Sequence, residues 1–146
     1  MRKVYDAGIL ICLDSISQLE EAFENASDEL LKKVDNFGKE NPDVLAYSKF
    51  FAIAKANGFI PLGEWDKTKA NEKDEKLCLF IQYLFDIQWL EFKKYVNSKG
   101  VYIIGDMPFY VGLRSADVYN NKELFRVDDD FIPDTVAGVP PDIFSE

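Results

Sequence analysis

Apolar residues recur at helical spacing through much of this chain and give way to short unbroken runs near its start and after Gly100. The first run, Ile9-Leu10-Ile11-Cys12-Leu13, fits either a buried strand or the edge of a helix. Asp14 or Ser15 then suits the cap of a helix carrying Leu19, Ala22 and Phe23 on one side. A second helix is expected over about 28–38, with Leu30, Leu31, Val34 and Phe37 inward and Gly38 as its stop. Asn41-Pro42 opens a third, because Pro in the first turn gives up a donor that has no helical partner there. It runs to about Asn57 with Leu45, Phe50, Ile53 and Ala54 inward, and Gly58 ends it. The polar stretch 61–75, with Pro61 and Gly63, reads as a linker between helices.

The longest element is expected from about Glu72 to Lys99. Leu77, Ile81, Leu84, Gln88, Phe92 and Tyr95 keep helical spacing, and Phe80, Phe85, Trp89 and Val96 widen the stripe. So broad an aromatic face predicts core rather than a ligand site. Gly100 closes the helix, and Val101-Tyr102-Ile103-Ile104 then reads as a strand buried on both faces, as in a parallel sheet covered by helices. Helix, Gly turn and strand together form an αβ unit, so the fold class is α/β. Residues 107–146 are rich in Pro, Gly, Asp and aromatics, with a helical turn expected near Ala116–Asn120. Phe125-Arg126-Val127 is expected to pair in a short hairpin through the turn Asp128-Asp129-Asp130. So long a loop in a compact domain points to function.

Composition narrows the chemistry. Among 146 residues there are 26 acidic and 17 basic groups, a formal net charge of −9, which disfavours nucleic acid and anionic membrane surfaces as partners. Histidine is absent, removing the commonest general base and zinc ligand. Cys12 and Cys78 lie among apolar neighbours and read as buried reduced thiols. No apolar run approaches a membrane span, and Met1-Arg2-Lys3 opens no signal sequence, so a cytoplasmic location is expected.

Asp106 is the leading candidate, since it follows the end of the expected strand, where α/β barrels place substrate-facing residues. A turn Asp that caps a backbone amide is the alternative. In Gly138-Val139-Pro140-Pro141-Asp142-Ile143-Phe144 the prolines stiffen a loop from which Asp142 and Phe144 project, and an aromatic rim suits the C–H face of a sugar. Asp128-Asp129-Asp130 lacks the ligand alternation, central Gly and distal Glu of a calcium loop and reads as a solvated turn.

Several blocks then agree in order and spacing: Ile104-Gly105-Asp106-Met107-Pro108-Phe109-Tyr110-Val111, Ser115-Ala116-Asp117-Val118, Glu123-Leu124-Phe125 and Val136-Ala137-Gly138-Val139-Pro140-Pro141-Asp142. Together they resemble the amylomaltase family, the 4-α-glucanotransferases or disproportionating enzymes. Gln82-Tyr83-Leu84-Phe85 and Gln88-Trp89 are similar to that family's helix before the same strand, and Ala46 to Trp65 resembles its preceding helix and linker. The resemblance covers residues 76–146, extends less specifically over 30–75 and is not seen before that.

The resemblance implies part of a (β/α)8 TIM barrel: residues 1–75 as a helical inserted subdomain and linker, with 1–25 unassigned, and 76–146 as incomplete barrel with the start of the loop over the glucan groove. It implies transfer of α-1,4-glucan segments between maltooligosaccharides by retaining double displacement, with no cofactor and no metal. By the same resemblance Asp106 supports the active site, while Asp142, Phe144 and Ser145 fall on the groove loop, where Phe144 stacks on sugar rings and excludes water. The nucleophile and general acid are expected beyond residue 146, so the chain alone is expected to be inactive. Arg114, Tyr119, Lys122 and Ile143 depart from the family's usual Asp, Trp, Pro and aromatic residue, which bears on the loop's geometry. A non-catalytic glucan-binding remnant of such an enzyme and an unrelated helical interaction module remain as alternatives.

Overall fold

A computed structural model describes residues 14–106, 111–135 and 138 of the chain. The helices fall where the apolar spacing puts them: α1 Asp14–Glu24, α2 Asp28–Glu40, α3 Pro42–Ala56 and α4 Glu72–Ser98, with a short α5 at Ala116–Asn120. Their ends have local causes. The Ser27 side chain accepts the Leu30 N–H at the start of α2 and Asn71 accepts that of Lys73 at the start of α4, each satisfying a donor the helix leaves open. After α3 the chain turns left-handed at Gly58 (φ 64°), and the Phe59 N–H bonds the Ala54 carbonyl at 2.9 Å while Gly58 N–H bonds that of Lys55 at 3.1 Å. The same paired closure follows α4 at Gly100 (φ 74°), a backbone conformation that glycine adopts without a Cβ penalty.

Two cores result. In one, Val34 of α2 packs with Leu79 and Phe80 of α4, and Phe23, Leu30, Phe37, Leu45 and Tyr83 close around them. Phe23 tilts against Phe80 at 5.5 Å and Phe37 meets Tyr83 edge-on at 5.5 Å, geometries that aromatic quadrupoles favour. In the other, Phe50 and Ala54 of α3 pack with Leu62, Trp65, Val118 and Phe131. Helix α3 therefore serves both sides: Ser48, Ala52 and Ala54 are almost wholly buried, and the Ser48 hydroxyl is satisfied by donating to the Val44 carbonyl at 2.9 Å.

Several expectations change. Gly38 does not stop α2; it lies buried within it, where the Leu79 side chain fills the space a Cβ would take. Ala22 is exposed although Leu19 and Phe23 on the same helix are partly buried. The stretch 61–75 is more than a polar linker: 3₁₀ turns at Leu62–Glu64 and Lys67–Lys69 hold Leu62 and Trp65 in the core. The long aromatic face of α4 is core only at its start. Leu77 to Phe80 are buried, whereas Phe85, Trp89, Leu90, Phe92 and Tyr95 are exposed. Length is the reason: at about 1.5 Å per residue α4 is about 40 Å long, and α2 and α3 span only about half of that.

The largest correction is at Val101–Ile104. The segment forms no strand and its four residues are exposed, Ile104 at 93%. A strand exists only through ladder bonds to a neighbour, and among the described residues none lies alongside it. The expected helical turn at Ala116–Asn120 is present, and the expected hairpin is an isolated antiparallel bridge between Val127 and Pro133. Cys78 is a free, buried cysteine; Cys12 and the run 9–13 lie outside the described residues.

Candidate functional site

Four aromatic rings from distant parts of the sequence meet beside α3. Phe50 lies 5.3 Å from Trp65 and 5.5 Å from Tyr119, Trp65 lies 5.4 Å from Tyr119, and Tyr119 stacks on Phe131 at 6.2 Å. Trp65 is buried and donates its indole N–H to the Ile60 carbonyl at 2.8 Å, so its polar handle is satisfied. Burial pushes the Tyr119 hydroxyl's pKa above its ordinary value. The Lys67 ammonium stands 5.7 Å from the Tyr119 ring and 6.0 Å from the Phe131 ring, and that of Lys122 stands 5.1 Å from Phe131.

Local chemistry brings the rings there. Ser115 accepts the Val118 N–H and starts α5, which directs Val118 into the core and Tyr119 onto Trp65. The Asp128 carboxylate accepts the N–H groups of Asp130 at 3.0 Å and Ile132 at 2.8 Å, tying off the turn that presents Phe131 in a left-handed backbone (φ 60°). Lys122 also pairs with Asp129 at 2.9 Å, and its hydrogen bond and charge hold that carboxyl below its ordinary range. The Asp triplet is thus an exposed turn, the solvated turn expected of it, and the Asp128 side chain ties it.

Of the residues singled out by sequence, Asp106 is exposed at the end of the extended stretch that follows α4. Asp142, Phe144 and Ser145 lie outside the described residues, so the structure does not bring the four together. Two of the four departures from the family pattern border the aromatic cluster, and a third lies against the turn after α3. Tyr119 is one of its rings, Lys122 flanks Phe131, and the Arg114 guanidinium reaches the Phe59 carbonyl at 3.4 Å. Sequence reading missed Trp65 and Phe131 as cluster members. Their signal was present: each is a large apolar side chain directly after an acidic residue in a polar stretch, which needs a distant partner to be buried. Cys78 offers no nucleophile, because burial raises its pKa and the Ser48 hydroxyl offsets only part of that effect.

The described chain is thus a helical layer that holds the 111–135 segment against α3 through aromatic rings. Its family is clear: the chain belongs to the 4-alpha-glucanotransferase family, glycoside hydrolase family 77, whose model matches residues 11–146. The match begins earlier than the motifs alone showed. Over 142 residues the chain is 35% identical to a 4-alpha-glucanotransferase of Aquifex aeolicus, covering 88% of this chain and 29% of that protein. It is 34% identical over 149 residues to the chloroplastic/amyloplastic 4-alpha-glucanotransferase of Solanum tuberosum, covering 90% and 26%. With the 4-alpha-glucanotransferase of Streptococcus pneumoniae serotype 4 it shares 45% identity over 130 residues, covering 79% and 26%. The chain therefore spans less than a third of the length of these curated relatives.

Proposed function

We propose that this chain is the substrate-side section of a cytoplasmic 4-α-glucanotransferase, an enzyme that moves α-1,4-glucan segments between maltooligosaccharides. The observation that carries this reading is the family match over residues 11–146, together with motif blocks that keep their register from Ile104 to Asp142. In the reaction a carboxylate attacks the anomeric carbon and expels the leaving glucan oxygen, which a carboxylic acid protonates. The 4-hydroxyl of an acceptor glucan then displaces the enzyme carboxylate, giving its proton back to the deprotonated acid, and two inversions retain the configuration. Both carboxylates belong to parts of the intact protein outside these residues. No cofactor or metal enters this chemistry.

Within that scheme residues 1–75 are a helical insertion with its linker, and 76–146 contribute to a (β/α)8 barrel. An exposed apolar segment at 101–104 and the exposed second half of α4 are the surfaces a parallel sheet would cover, which supports the assignment. Asp106 then stands at the substrate-facing end of a barrel strand, supporting the active site. Asp142, Phe144 and Ser145 lie on the loop over the glucan groove, where Phe144 stacks on sugar rings and keeps water from the intermediate.

The test is turnover of maltotriose by the intact protein. Glucose should appear together with products longer than maltotriose, and Asp106→Asn should lower that turnover by about tenfold or more through misplaced substrate. Hydrolysis without elongation, or no turnover at all, would overturn the reading.

A further inference from the structure

Asn57-Gly58, at the end of α3, is the one Asn-Gly pair in the sequence. Such a pair carries a reaction of its own. The glycine nitrogen has no side chain beside it and can attack the neighbouring carboxamide to close a cyclic imide. Gly58 is exposed, and nothing lies within 4 Å of the place a Cβ would take there. No neighbour therefore bars the attack or the water that must follow it.

The fold restrains both reacting groups instead. Asn57 is half-buried, and its carboxamide ties the end of α3 to the loop that carries Trp65. It donates to the Ile53 carbonyl at 2.9 Å and the Asp66 carbonyl at 3.0 Å, and accepts the Asp66 N–H at 2.8 Å. The Gly58 N–H is engaged too, on the Lys55 carbonyl at 3.1 Å. Backbone geometry adds a second restraint. With Asn57 at ψ 10°, the Gly58 nitrogen nearly eclipses Asn57's own nitrogen and is turned away from its Cβ. Ring closure needs that nitrogen to eclipse Cβ, so the turn must open before the reaction can occur.

We propose that Asn57-Gly58 is a deamidation site gated by release of the 58–66 loop from α3. On release the Gly58 nitrogen gives its proton to water and bonds to Asn57 Cγ. The Cγ–Nδ2 bond breaks, and ammonia leaves with a proton taken from water. A water molecule then opens the imide at one carbonyl or the other, leaving aspartate or isoaspartate at position 57; nothing is oxidised or reduced. The change runs one way. A carboxylate there still accepts the Asp66 N–H, but it offers no donor to the Ile53 and Asp66 carbonyls, and its charge sits at the negative end of α3. Leu62 and Trp65 belong to the loop so released, and both pack in the aromatic core beside Phe50 and Ala54. Deamidation thus loosens that core.

The experiment incubates the intact protein in mildly alkaline buffer, folded and in urea, and follows the peptide containing Asn57-Gly58 by mass spectrometry. The folded protein should react about a hundredfold more slowly, since three side-chain hydrogen bonds, each a factor of about five, are lost on opening. Leu62→Ala, a cavity under the loop, should speed the folded reaction by about tenfold or more. Val34→Ala, a cavity in the other core, should leave it within about twofold. Asn57→Asp should lower Tm. Equal rates in the folded and urea-unfolded protein, or no reaction in either, would overturn the proposal. So would equal acceleration by the two cavity variants, which would make global unfolding the gate. An unchanged Tm for Asn57→Asp would refute the loosening. Should Leu62→Ala fail to fold, the folded-to-urea ratio of the unmodified protein decides.

Discussion

The two halves of α4 carry similar side chains and meet opposite fates. Leu77, Cys78, Leu79 and Phe80 are each no more than 5% exposed, whereas Phe85 is 62% exposed and stacks at 6.3 Å on Trp89, itself 40% exposed. Hydrophobicity does not separate the two sets. What separates them is coverage: α2 and α3 lie over the first half and end before the second. Burial is a property of a pair of surfaces, and a stripe on one helix states only half of it.

The sharpest way to break this comparison is to truncate one ring from each half. Phe80→Ala removes a fully buried ring that touches Phe23, and should cost the chain about 3 to 5 kcal/mol in unfolding free energy measured with urea. Phe85→Ala in the same chain should stay within about 0.5 kcal/mol, because its ring already lies in water. Made in the intact protein, Phe85→Ala should instead approach the cost of Phe80→Ala, since the proposed barrel buries that face. Equal and small effects in both settings would remove the second half of α4 from any core.

The same asymmetry explains what could be read from the sequence. Helix α4 was legible almost to the residue, as were α3 and the turn at Ala116–Asn120, because spacing, caps and terminal glycines act within a few residues of one another. Gly38 misled because a buried glycine required by close packing looks the same in sequence as one that ends a helix. Val101–Ile104 misled for a related reason: β-branched and apolar residues show fitness for a sheet, and a sheet also needs neighbours. The aromatic cluster was hidden because Phe50, Trp65, Tyr119 and Phe131 are joined only by the tertiary fold. Of the candidate site residues only Asp106 falls among those described, where it is exposed.

A smaller perturbation probes the cover rather than the covered helix. Ser27 caps α2 by accepting the Leu30 N–H at 3.3 Å, and α2 supplies Val34 to the buried half of α4. Ser27→Ala should destabilise the chain by about 1 kcal/mol, with the loss visible as a lower urea midpoint at unchanged slope. It should leave the fluorescence of Trp89, recorded after replacing Trp65 with Phe, unaltered in the folded baseline, since the exposed half takes nothing from α2. A change there would mean that the two halves are coupled.

The smallest effect lies where α1 meets the start of α4. Lys73 pairs with Glu24 at 2.6 Å and Lys55 with Asp74 at 2.7 Å, around a small cleft lined also by Glu20, Phe23 and Leu77. The hydrogen bond and charge of Lys73 hold the Glu24 carboxyl below its ordinary value of 4.5, and Glu24 in turn raises Lys73 above 10.5. A carboxyl whose pKa is lower folded than unfolded binds fewer protons in the native state. Its contribution is therefore present above about pH 4.5 and is lost as pH falls through the depressed folded value. The lysine runs the other way: its share is present below 10.5 and is lost as pH rises through the raised folded value. Both groups face water, so salt should screen the pair and the effect should be slight. Glu24→Gln should flatten the acid side of the stability profile by a small amount and remove part of its salt dependence, with no change on the Phe85 side. If it instead lowers stability as much as Phe80→Ala does, α1 is held by charge, and the ring contact between Phe23 and Phe80 is not what secures it.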